Sequence, residues 1–214
     1  MNEDFYRERA SEKFATSDNP ENDAVISKAV AALSLSSGDR ILDFGCADGY
    51  FLKRICEKVP GVEGYGVDII PHSAWSDLHG LKLQGTGLPL TFPDNFFDAL
   101  FCSQVLEHLN DPELAVSEFA RVVRPGGRAW IAVPNGYSDT WSGFHGLQKH
   151  IDVIEGHIRH FTAAELAELF DRYGFTAVAQ RYDLFVGLYL YYRYVAYNPA
   201  LKRRLVASIA PSMQ

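Results

Sequence analysis

The stretch Ile41 to Phe51, ILDFGCADGYF, constrains this chain more than any other. An apolar run carries Asp43 near its end, Gly45 and Gly49 enclose a small polar turn, and an amphipathic segment follows. The run reads as a buried strand, and Phe51, Leu52, Ile55 and Val59 of YFLKRICEKV share one helical face. Glycines lack the β-carbons that hold a ligand away from the backbone, and the N–H groups of such a turn favour a polar or anionic ligand. Tight packing also uses glycines, so the turn alone leaves both readings open. Its spacing does not match the G-x-G-x-x-G of dinucleotide-binding folds.

Strand and helix signals alternate along most of the chain. Residues 24–35 have helical period and stop at Ser36-Ser37-Gly38, EGYGVDI is a second strand, LKLQGT a shorter one and FFDALFCSQVL a fourth. A helix begins after Asn110-Asp111-Pro112 and stops at Pro125-Gly126-Gly127, and RAWIAVPN is a strand. AAELAELFDRYG is a helix with Thr162 as N-cap and Gly174 after its end, followed by FTAVAQRYD as a strand. Such alternation predicts a parallel α/β sheet with helices on both faces. Ligands of such sheets bind outside the carboxyl ends of the strands, so the candidate site runs over Asp43 to Gly49, Asp68, Gln84 to Gly87, Ser103 to His108 and Pro134 onward.

Asp68 ends the second strand about 20 residues after the glycine turn, where a carboxylate accepts hydrogen bonds from both hydroxyls of a ribose. Together, turn and carboxylate point to a nucleoside ligand. The 214 residues suffice for one domain, read as an N-terminal helical cap (1–37), a core (38–135), an insertion (136–160) and a C-terminal helix, strand and aromatic tail (161–214). A net charge of −7 argues against a nucleic-acid partner. Three cysteines without the paired spacing of a zinc site, a charged start and no run of roughly 18 apolar residues predict a cytoplasmic protein without a membrane span.

ILDFGCADGYF, GVDI, LPLTFPDNFFDAL, VLEHLNDPELAVSEFARVVRPGGRAWIAVPN and HIRHFTAAELAELFDRYGF, in that order over about residues 38–176, resemble the class I S-adenosylmethionine-dependent methyltransferases. The resemblance is strongest to the branch acting on quinones, sugars and natural products. It implies a three-layer Rossmann-like α/β fold with a mostly parallel seven-stranded sheet and S-adenosylmethionine bound across the strand ends. Carried over, Asp43, Gly45 and Gly49 line the methionine and ribose portion, with Ala47 where a third glycine is common. Asp68 would hold the ribose and Ile69 would back the adenine. Gln84, followed by Gly85, stands where relatives have an Asp for the adenine amino group, and its amide oxygen accepts the same bond. Ser103 closes the fourth strand beside them.

Methyl transfer from a sulfonium is an in-line displacement that asks mainly for alignment and, for a hydroxyl acceptor, a base. His108 follows the fourth strand and is the first candidate; Glu107 reads as structural. The insertion, with Trp141, Phe144 and His157, is expected to close over the ligands, which makes His157 the second candidate. Some quinone and small-RNA methyltransferases hold a divalent ion with Glu-x-x-Glu-His; Gln104 replaces the first Glu here, so no metal ligand is assigned. The expected acceptor is small or carrier-linked, methylated at oxygen. Tyr189, Tyr191, Tyr192, Tyr194 and Tyr197, with Lys202, Arg203 and Arg204, read as core packing or as a surface for a lipid-linked acceptor at a membrane. Two rivals stay open: a nucleotide-cofactor oxidoreductase, and a non-enzymatic partner or regulatory subunit of the same fold.

Overall fold

The computed structural model describes residues 20–134, 152 and 156–180. In chain order these form α1 (Pro20–Leu33), β1 (Arg40–Phe44), α2 (Tyr50–Lys58), β2 (Glu63–Asp68), β3 (Lys82–Gly85), β4 (Phe97–Ser103), α3 (Pro112–Val122), β5 (Val123–Ala132) and α4 (Ala163–Asp171). Short 3-10 turns at Ser73–Asp77 and Leu106–His108 follow β2 and β4. The five strands make one parallel sheet in the order β3-β2-β1-β4-β5. Five of the seven expected strands therefore lie in the described residues.

Alternation along the central strands builds the layers. Ile41, Ala99 and Phe101 pack with Ile26, Leu33, Leu52 and Ile55 of α1 and α2. Leu42, Phe44, Leu100 and Cys102 turn to the other face, where Val116, Phe119 and Val122 of α3 cover them. Leu52 and Ile55 are fully enclosed, each burial contributing about 1.5–3 kcal/mol. The central strands β1 and β4 are thus covered on both faces, and polar groups of β1, β2 and β4 gather at their carboxyl ends.

Several boundaries differ from the sequence reading. α1 starts at Pro20 rather than at residue 24. β5 begins at Val123, directly after α3, so Pro125-Gly126-Gly127 lies inside a strand. The ladder absorbs it by a shift, from Phe97 opposite Val123 to Ala99 opposite Arg128, and Gly126 turns at φ 78°. Residues 175–180 of the expected sixth strand pair with no described strand, and Val178 is 87% exposed. α4 carries the expected N-cap as a full capping box of Thr162 and Glu165, and Gly174 turns at φ 84°. The aromatic tail with its three basic residues, and all of the insertion except Asp152 and residues 156–160, lie outside the described residues.

Candidate active site

The turn after β1 is built by backbone bonds that only a tight, left-handed path permits. Gly45 (φ 79°), Ala47 (φ 45°) and Gly49 (φ 81°) all take positive φ. Gly45 and Cys46 donate N–H bonds to the Val67 carbonyl at 2.8 and 3.0 Å, which ties the turn to β2. A β-carbon at Gly45 would collide with the Val105 side chain, and one at Gly49 with Leu78. Gly45 is therefore the point where the chain leaving β4 passes closest to the turn.

Asp68 locks the same turn from β2. Its Oδ2 accepts the Ala47 N–H at 3.0 Å and its Oδ1 the Ile70 N–H at 3.1 Å. A 3-10 turn not singled out in the sequence supplies the counter-bond: Trp75 Nε1 donates to the Ala47 carbonyl at 2.7 Å. Ala47, the residue that replaces a glycine, is thus held at both of its backbone polar groups. Asp48 caps the start of α2 by accepting the Tyr50 N–H at 3.0 Å.

Three carboxylates converge here. Asp43 is almost fully buried on β1, and its Oδ2 has no hydrogen-bond partner among the described residues. Burial, and then the charges of Asp68 and Asp48, push its carboxyl up to about 8. Burial also raises Asp68, against the lowering effect of the backbone N–H groups it accepts. This cup repels an anionic pyrophosphate and suits a ligand carrying positive charge beside sugar hydroxyls. It stands against the oxidoreductase reading, whose cofactor presents phosphates at this turn.

β2 and β3 set the next wall. Asp68 lies opposite Gly85 in the ladder, and a β-carbon at Gly87 would reach ordinary van der Waals distance from Ile69. Gly85 is required for packing, since a β-carbon there would press on Pro71. Gln84 already has a side-chain partner: its Oε1 accepts the Thr91 hydroxyl at 3.2 Å. Ser103 ends β4 opposite Ala132 of β5, one residue before Gln104 turns at φ 58° and two before Val105 meets Gly45.

The 3-10 turn after Val105 carries Glu107 and His108 to residues 156–160. Ile158 N–H donates to the Glu107 carbonyl at 3.1 Å, Arg159 Nη2 to the Asn110 carbonyl at 3.0 Å, and His108 Nδ1 meets the Gly156 carbonyl at 3.1 Å. A carbonyl accepts only, so His108 Nδ1 carries a proton. The His108 and His157 rings lie 5.0 Å apart. The two expected catalytic histidines are therefore neighbours, although 49 positions separate them in sequence. Glu107 is wholly enclosed, both carboxyl oxygens lack a hydrogen-bond partner among the described residues, and burial pushes it up to about 8. Asp152, absent from the sequence reading, bonds both His157 and His160.

A parallel sheet with a glycine turn and carboxylates gathered at its strand ends defines a Rossmann-like α/β domain. Residues 18–180 match the family described as methyltransferase domain, and the chain belongs to that family. The ubiquinone biosynthesis O-methyltransferase of Xylella fastidiosa (strain M23) is 31% identical over 126 residues, covering 55% of this chain and 49% of that protein. The protein of the same name from Aeromonas salmonicida (strain A449) is 30% identical over 147 residues, 62% of this chain and 60% of that one. The chain spans about half the length of the curated relatives it matches. Among solved structures, Burkholderia thailandensis 1,6-didemethyltoxoflavin-N1-methyltransferase, with bound 1,6-didemethyltoxoflavin and S-adenosylhomocysteine, superposes with a TM-score of 0.63 at 18% identity, covering 84% of this chain and 78% of that one. A chain of the complex between the Haloferax volcanii Trm112 methyltransferase activator and a methyltransferase superposes at 0.61 and 24% identity, covering 77% and 80%. At these identities the superpositions establish the shared fold.

Proposed function

We propose that this chain transfers a methyl group from S-adenosylmethionine to a hydroxyl of a small or carrier-linked acceptor. The observation that carries the reading is the cup of Asp43, Asp48 and Asp68 around the Gly45–Gly49 turn, with an enclosed Asp43 oxygen that no described group satisfies. An orphaned, buried carboxyl of this kind, which ionises as a cation approaches, fits a ligand that brings an ammonium and a sulfonium. Asp43 and the Gly45–Gly49 turn would hold the methionine portion, Asp68 the ribose, and Ile69, Gln84 and Gly85 the adenine side, with Ser103 at the floor. When bound, the donor supplies an electrophilic methyl group that an aligned nucleophile displaces.

The chain's own residues supply alignment and a proton acceptor. His108, held through Nδ1 by the Gly156 carbonyl, takes the proton of the acceptor hydroxyl. His157, held by Asp152, stands beside it and orients the acceptor oxygen. The names of the quinone O-methyltransferase relatives support oxygen as the methylated atom. The test is incubation of the chain with methyl-labelled donor and a panel of phenolic, sugar and carrier-linked hydroxyl compounds. Label should pass to an oxygen of one class, and His108→Ala should lower kcat by about a hundredfold or more with donor affinity unchanged. Transfer to nitrogen or carbon only, or full turnover in His108→Ala, would contradict it.

A further inference from the structure

We infer that Asp152, His157 and His160 form a binding site for one divalent transition-metal ion of the zinc class. Asp152 Oδ1 lies 3.1 Å from His157 Nδ1 and 3.0 Å from His160 Nε2. The three ligand atoms all fall within 4.8 Å of one another. A tetrahedral ion with bonds of about 2.0–2.1 Å needs ligand-to-ligand edges of about 3.3 Å, so the two Asp152 edges fit within a few tenths of an ångström and the edge between the histidines, within 4.8 Å, closes by rotation of the imidazoles. Two imidazoles and one carboxylate suit zinc, cobalt or nickel; magnesium and calcium require oxygen ligands.

The backbone presents these groups before any ion arrives. The Asp152 carbonyl accepts the N–H groups of Gly156 and His157 at 2.8 and 3.0 Å, which folds the carboxylate back over the histidines. The bonds of Ile158 to Glu107 and of Arg159 to Asn110 then fix both histidines on the core. Asp152, His157 and His160 side chains are 22%, 8% and 17% exposed, enough for an ion to enter and keep a water as fourth ligand. A second group of ligand atoms, Glu107, His108 and His157, lies alongside. It is less suited, because Glu107 is wholly enclosed.

The site shares Asp152 and His157 with the proposed acceptor side, but metal binding is read without donor or acceptor, so its failure and the failure of the methyl-transfer reading are distinguishable. The experiment titrates the untagged, chelator-treated full chain with Co2+, whose tetrahedral complexes absorb visibly, and then with Zn2+. One equivalent should give the band and Zn2+ should displace it. Asp152→Asn and His160→Gln, checked for folding by circular dichroism, should abolish the band, while Glu107→Gln and His108→Gln keep it. No stoichiometric band in the wild-type chain overturns the site. A band kept by His160→Gln, or lost in both Glu107→Gln and His108→Gln, overturns it equally by moving the ion to the neighbouring group.

Discussion

Asp43 and Glu107 are the residues whose charge state most depends on what the site holds. With Asp43 pushed up to about 8, the unliganded chain carries it mostly protonated at neutral pH. A cationic donor favours the ionised form, so binding should release a proton, and donor affinity should rise between about pH 6 and 8 by at most about tenfold per unit. Calorimetric titration in two buffers of different ionisation enthalpy measures that proton; Asp43→Asn should remove both the release and the pH dependence. Asp68 is expected to act differently, since its oxygens already take backbone N–H groups of Ala47 and Ile70. Asp68→Ala should weaken donor binding by about tenfold or more, through lost ribose bonds and a loosened turn together.

At the scale of elements, the strand–turn–helix of β1 and α2 was legible because periodicity and glycine spacing are local signals. So were Asp68 at the end of β2, the α4 cap and the place of His108. Trp75 was not, since its bond to the Ala47 carbonyl joins a 3-10 turn to a loop 28 positions away. Asp152 was missed for a related reason: its histidine partners sit five and eight positions on, a spacing that matches neither helix nor strand. The start of β5 was misread because Pro125-Gly126-Gly127 signals a stop, while the ladder with β4 tolerates it through a register shift. Two substitutions test the turn. Trp75→Phe removes one hydrogen bond worth about 0.5–1.5 kcal/mol, and should lower stability in urea unfolding by about that amount and weaken donor binding severalfold in calorimetry. Gly45→Ala must hold a side chain at φ 79° against Val105, and should cost at least about 1–2 kcal/mol in urea unfolding.

For the whole molecule, the same buried carboxyls set how stability follows pH. Asp43 and Glu107 are both raised in the folded state, from 3.8 and 4.5 to about 8. Between about pH 4 and 8 the unfolded chain has lost these protons while the folded chain keeps them. Their contribution is therefore full below about pH 4 and declines as pH rises through about 8, by up to about 1.4 kcal/mol per unit for each group. Urea unfolding across that range should show the decline, flattened in Asp43→Asn and in Glu107→Gln. Donor binding should offset the Asp43 part, since it draws on the ionised carboxylate. No helix among the described residues is long and apolar enough to cross a membrane. The central claim is that the carboxyl ends of β1 and β2 bind the methyl donor. Its most direct test is calorimetric titration of the chain with S-adenosylhomocysteine beside Asp68→Ala. One-to-one binding in the wild-type chain, at least about tenfold weaker in a variant that keeps its circular dichroism, is the predicted result. No binding in the wild-type chain, or equal affinity in the two, would contradict it.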